Sequence, residues 1–255
     1  MTENYHTHTY RCGHAVGTER DYVEAALKAG IRTLGFSDHT PHEYLDSSYH
    51  TSNIRMELEE LPDYADTVRA LAAEYKGQIE ILLGVEAEYY PDTFSRLLEI
   101  LQENGIRYMI LAQHFLGNEI NEPYCGKATG DPSVLDRYVS QSIEAMQTGC
   151  FLYFAHPDLI HFTGDDKEYS RQMRRLCRAA TECGMPLEIN LLGIREGRHY
   201  PDPRFWRLAA EEENAVILGC DAHRPKDLGD RRGEKKALTI VKKFGLKLIG
   251  HPLSF

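Results

Sequence analysis

Residues 19–39, ERDYVEAALKAGIRTLGFSDH, hold the pattern on which the fold reading rests. Apolar positions recur at helical spacing from Glu19 to Ala29, and Gly30 provides a stop. A short apolar run, Ile31 to Phe36, follows as a strand and ends on the polar triplet Ser37-Asp38-His39. Working outward, the same alternation recurs. Strands are expected near Tyr5, over 79–85, 108–112, 151–155, 187–189 and 215–219. Helices are expected near 54–75, 93–103, 133–148, 169–183, 203–214 and 226–244. Near-continuous apolar strands alternating with amphipathic helices indicate a mainly parallel sheet covered on both faces. With about seven such units and no Ser/Gly/Pro-rich linker, the expectation is one domain over residues 1–255. A closed or nearly closed (β/α) barrel fits better than an open sheet.

Composition narrows the partners. The chain has 255 residues, 29 basic against 39 acidic, and a net charge of −10 with His neutral. That balance argues against a nucleic-acid polymer or an anionic membrane as partner, because both need basic surface. No run approaches a membrane span, and Met1 to His6 lacks the basic and apolar parts of a secretory signal, so a cytoplasmic protein is expected. The six Cys form no CxxC pair and read as reduced thiols, with Cys12, two residues before His14, the one nearest to suspicious company.

The informative count is 12 His. Polar residues fall repeatedly at the ends of strands: His6 and His8 around Thr7, His39, Glu86, Gln113-His114, His156, Asn190, and Asp221 and His223 around Ala222. Alternate residues of a strand share a face, so His-x-His and Asp-x-His can each serve one metal. Seven His (6, 8, 14, 39, 114, 156, 223) with Glu86 and Asp221 are too many donors for one ion and suit two or three, with Glu86 as the bridge. Imidazole and carboxylate suit Zn, Mn or Fe. His42, His50, His161 and His251 read as solvated or hydrogen-bonded residues, although His42 is close enough to His39 to stand as a substrate candidate.

Taken in order, His6-x-His8, His14, Ser37-Asp38-His39, Gly84-Val85-Glu86, His114, His156 and Asp221-x-His223 resemble the motifs of the PHP (polymerase and histidinol phosphatase) family. The string from His6 to His14 and the sequence Gln113-His114-Phe115 are similar to its stand-alone histidinol-phosphatase branch. The resemblance implies a distorted (β/α)7 barrel with a trinuclear site at the C-terminal strand ends. It implies a first ion on His6, His8, Glu86 and Asp221, a second on Glu86, His114 and His156, and a third on His14, His39 and His223. One departure is Asn4, where the family often has Asp; an acceptor there can still orient a neighbouring imidazole.

The activity so implied is hydrolysis of L-histidinol phosphate, in histidine biosynthesis, through a hydroxide bridging two metals. Arg195, in the loop after the sixth strand, is the first choice for the phosphate, His199 the second, and Arg11 a more distant one. Asp221 and His199 are the candidates for the acid that protonates the leaving group. The alternatives are a phosphoesterase of the same type acting on another small ester or nucleotide, and a metal-binding regulatory protein without turnover. Three divalent ions against Glu86 and Asp221 would leave the site cationic, so the acidic total does not exclude a small phosphate ester.

Overall fold

The structure, a computed structural model, describes residues 1–41, 52–117, 119 and 122–252. Its strands are β1 (Glu3–Asn4), β2 (Thr33–His39), β3 (Glu80–Ala87), β4 (Tyr108–Leu111), β5 (Leu187–Asn190), β6 (Ala215–Gly219) and β7 (Lys247–Leu248). The helices are α1 (Glu19–Ala29), α2 (Leu61–Glu74), α3 (Phe94–Glu103), α4 (Pro132–Gln147), α5 (Asp166–Glu182), α6 (Leu191–Glu196), α7 (Pro203–Glu211) and α8 (Arg231–Phe244). Strand order is β1-β2-β3-β4 in one sheet and β5-β6-β7 in the other, and β1/β2, β2/β3 and β6/β7 pair in parallel. This is an α/β fold. The chain forms two compact units: residues 1–87, 91–110 and 219–231 in the first, and 88–90, 111–218 and 232–255 in the second.

In the first unit, Thr18 and Asp21 form a capping box that starts α1, and Gly30 at φ 78 stops it in the left-handed region that a Cβ disfavours. The chain then enters β2, whose seven residues are all buried, as a strand covered on both faces must be. β2 runs in register with β3 from Thr33↔Glu80 to His39↔Glu86, which puts those two site candidates side by side. The helix expected from residue 54 begins only at Leu61, after a short 3-10 turn at Leu58–Glu60. Pro62 explains the delay: it has no N–H and would clash with the carbonyl of residue 58 in a longer helix, but it is welcome in a first turn.

The buried Tyr108 knits this sheet. Its hydroxyl shares its one proton between the carbonyls of Tyr5 (3.0 Å) and Phe36 (2.8 Å), and its side chain lies where a Cβ on Gly35 or Gly84 would stand.

In the second unit, the expected strand at 151–155 is reduced to bridges from Phe154 to Leu111 and Leu187. Two features shorten it. His156 turns the chain at φ 32, and Pro186, whose carbonyl accepts from Phe154 N–H, has no N–H with which to extend the ladder to earlier residues. Polar caps Asp131, Asp165 and Asp202 start α4, α5 and α7. The region read as one helix from 226 is a 3-10 turn at Pro225–Gly229 and then α8. β7 was not anticipated: two exposed residues carry no periodicity to read. None of the six Cys forms a disulfide, and no helix among the described residues is long and apolar enough to cross a membrane.

Gly84→Ala should lower stability by about 1–3 kcal/mol and the melting temperature by roughly 2–12 °C, because the new methyl meets the Tyr108 ring. Thermal denaturation of a double-mutant cycle checks the cause: in a Tyr108→Ala background the same substitution should cost far less.

Candidate metal centre

The centre of the first unit is built on one bridge. Thr7 pairs in parallel with Ala222: His8 N–H donates to Ala222 O at 3.0 Å, and Ala222 N–H donates to His6 O at 3.3 Å. On its other side, Thr7 N–H donates to Ser37 Oγ at 3.1 Å and Thr7 O accepts from Ser37 N–H at 2.9 Å. The middle residues of His6-x-His8 and Asp221-x-His223 are therefore partners, and the flanking side chains gather on one side of the bridge, Asp221 from a backbone at φ 46.

Those side chains meet Glu86 at the end of β3. Glu86 Oε1 lies 3.2 Å from His6 Nε2, while Oε2 lies 3.4 Å from His8 Nε2 and 3.0 Å from His39 Nδ1. Asp221 Oδ1 lies 3.5 Å from His6 Nε2, 3.3 Å from His8 Nε2 and 3.2 Å from His223 Nδ1. Nε2 of His14 and Nε2 of His223 are 2.9 Å apart, and the His8 ring stacks on His223 (4.3 Å) and lies tilted against His39 (4.5 Å). Seven of the nine expected donors thus converge here: His6, His8, His14, His39, Glu86, Asp221 and His223.

The field at the cluster favours positive charge. Burial alone would pull the His8 imidazole down, yet the facing carboxylates of Asp221, Asp38 and Glu86 raise it well above its ordinary value. Burial alone would raise Asp221, but the facing His6, His223 and His8 hold it well below the usual carboxylate range. His14, farther from the carboxylates, is pushed down to about 4 by burial and by His223 and His8. Neither nitrogen of the buried His8 ring makes a hydrogen bond despite three carboxylates within 3.4 Å. Donor atoms of His6, His8 and Glu86, and separately those of His8, His39 and His223, lie within 4.8 Å of one another. Buried imidazole and carboxylate donors at this spacing fit divalent metal ions.

In the second unit, His114 and His156 are neighbours, with ring centroids 4.9 Å apart. His114 Nδ1 is 2.9 Å from Glu88 Oε1, a buried carboxylate that orients the ring and presents Nε2 as the donor. Arg195 lies half-buried in α6, a short helix where a loop was expected. His199 Nε2 stands 2.8 Å from the Leu159 carbonyl and its ring stacks on His161 at 4.0 Å. Burial is the main cause that lowers the His199 pKa.

Several expectations change. Arg11 is not available for phosphate, because its guanidinium bonds Glu19 (2.5 Å) and Asp63 (2.7 Å). Asn4 orients backbone rather than an imidazole: its amide donates to His6 O and Thr7 Oγ1, and its Oδ1 accepts from Cys220 N–H. His42 and His50 lie outside the described residues. Three buried carboxylates were not assigned to the site from sequence: Asp38, Glu88 and Glu188. Asp38 accepts from Thr9 N–H (3.0 Å) and His39 N–H (3.0 Å) and stands 3.4 Å from His8 Nδ1. Their signal was available, an acidic residue inside or just beyond an apolar strand.

Residues 4–191 match the PHP domain family. A protein of Deinococcus radiodurans named probable histidinol-phosphatase is 33% identical over 236 residues, spanning 89% of this chain and 88% of its own. The histidinol-phosphatase of Bacillus subtilis is 25% identical over 256 residues, spanning 88% of this chain and 94% of its own. The same fold occurs in the crystal structure of histidinol phosphate phosphatase from Lactococcus lactis complexed with zinc, L-histidinol and phosphate. That structure gives a TM-score of 0.72 at 20% identity and covers 97% of this chain and 95% of its own. With its His-x-His and Asp-x-His donors locked by one bridge and a family match over most of its length, this chain belongs to the PHP domain family.

Proposed function

We propose that this chain is a metal-dependent phosphomonoesterase that hydrolyses L-histidinol phosphate to L-histidinol and phosphate. The observation that carries the reading is the buried donor set around Glu86, on a chain similar to named histidinol-phosphatases over most of its length. Residues 1–255 act as one catalytic domain, a distorted (β/α)7 barrel with its donors at the C-terminal strand ends. The chain holds two or three divalent ions, Zn, Mn or Fe. His6, His8, His14, His39, Glu86, Asp221 and His223 supply donors in the first unit, and His114 and His156 in the second.

When bound, such ions supply a nucleophilic water at neutral pH and neutralise phosphoryl oxygens. The rest falls to side chains. The two Glu86 oxygens face different imidazoles, which suits a carboxylate shared between two ions. Glu88 holds the His114 ring in one orientation, and Asp38 places a buried carboxylate 3.4 Å from His8 Nδ1. Arg195 presents a guanidinium fork to the phosphate. The step forms a P–O bond from water, breaks the ester P–O bond and delivers one proton to the departing histidinol oxygen. Asp221 is one of the two side chains proposed to carry that proton. His199 is the other proton carrier, and it also contributes to binding the substrate together with His42.

Zinc- or manganese-loaded protein should release phosphate from histidinol phosphate in preference to a panel of sugar and nucleotide monoesters; equal rates across the panel would reject the substrate. A chelator should abolish turnover, and readdition of metal should restore it. Asp221→Ala and Glu86→Ala should lose metal by elemental analysis, with activity falling beyond the roughly 10–100-fold typical of residues that only support a ligand. Arg195→Ala should keep its metal and raise KM about 10–100-fold, the loss expected for a charge-assisted bond to phosphate.

A further inference from the structure

Glu188 is a fully buried carboxylate on β5 with no place in the ligand set. Its Oε2 accepts from the backbone N–H of His156 at 3.0 Å and from the side-chain amide of Asn190 at 2.9 Å. The Tyr153 hydroxyl stands 3.5 Å from Oε1. Asn190 Oδ1 accepts in turn from Gly193 N–H at 3.0 Å and caps α6, the helix that carries Arg195. His156 sits at φ 32, a conformation that persists in a residue with a Cβ only where its surroundings over-determine it. Its amide is held by Glu188, and its carbonyl accepts from Leu159 N–H at 2.9 Å.

We infer that Glu188 is a positioning residue: through one oxygen it fixes His156 as a metal donor and, by way of Asn190, fixes the first turn of the helix bearing Arg195. This rests on the reading of His156 as a ligand and Arg195 as the phosphate partner. A carboxylate oxygen can accept two hydrogen bonds at once, and so can the carbonyl of a glutamine. The role therefore requires an acceptor at the right reach, and the charge is secondary.

The test uses the full chain loaded with zinc and reads two quantities: zinc retained against a competing chelator, and KM and kcat for histidinol phosphate. Glu188→Ala should weaken zinc retention about 10–100-fold and raise KM. Glu188→Gln should retain zinc within about threefold of wild type, because its carbonyl can take the Oε2 position. Asn190→Ala should retain zinc and raise KM about tenfold through loss of the α6 cap. Wild-type zinc retention in Glu188→Ala, equal damage in Glu188→Gln and Glu188→Ala, or zinc loss in Asn190→Ala would each overturn the inference. Should Glu188→Ala not fold, Glu188→Asp, which keeps the charge and shortens the reach, must show the same zinc loss. A wild-type protein inactive on histidinol phosphate would reject the substrate reading alone. The contrast in zinc retention between the alanine and glutamine variants would still decide the role of Glu188.

Discussion

The bridge between Thr7 and Ala222 is the constraint on which the metal centre depends. Thr7 spends its own N–H and carbonyl on Ser37 in β2, leaving the carbonyl of His6 and the N–H of His8 to face Ala222. With the middle residues paired, alternation along the first motif sends both its His to one side, and the Asp and His of the last motif meet them there, Asp221 from a left-handed backbone. The first and last parts of this unit are more than 200 residues apart in sequence, so no local propensity could bring them together. The ordering cost is met by the parallel sheet, where β2 lies buried between β1 and β3.

What the bridge assembles would be unfavourable without cations. Asp38, Glu86 and Asp221 are each within a few per cent of fully buried, and burying ionised groups is costly unless they are paired. The imidazoles respond by opposite shifts: His8, amid carboxylates, goes up despite its burial, and His14 is taken down by burial and by the neighbouring imidazoles. Asp38 also corrects the charge arithmetic that counts Glu86 and Asp221 alone, since a third carboxylate offsets more of the charge that bound ions bring. A net charge of −10 on the whole chain is thus compatible with a phosphate ester at a site whose own charge is set locally.

Much of this was legible in sequence for a definite reason: His-x-His, Asp-x-His and the polar ends of apolar strands are period-two signals, and period two is how strands sort their faces. The limits of α1 were readable because Thr18 and Gly30 are strong local punctuation. What escaped depends on contacts between distant residues. The length of a strand at 151–155 depends on what Pro186 can donate, and the orientation of Asn4 depends on Cys220 across the bridge. Glu88 and Glu188 could be seen as acidic residues near strand ends, but only coordinates reveal that one meets an imidazole and the other a backbone amide.

The positive-φ residues add a separate line of argument. Among the described residues, three other than Gly adopt that conformation: His156 (φ 32), Asp221 (φ 46) and Glu213 (φ 57). Glu213 follows the end of α7, where a left-handed residue commonly ends a helix. The other two are candidate ligands in different units, and each is held by the same device. A buried side-chain oxygen accepts from the backbone at or next to the strained residue, Glu188 for His156 N–H and Asn4 for the Cys220 N–H that precedes Asp221. Strain of this kind costs on the order of 1–3 kcal/mol per residue, so its recurrence at two ligand candidates, each with a dedicated polar clamp, is not a by-product of packing. The clamps turn a backbone that would relax into one that aims a donor, which explains why Asn suffices at position 4: the clamp needs an acceptor for an amide, and a negative charge adds nothing to it.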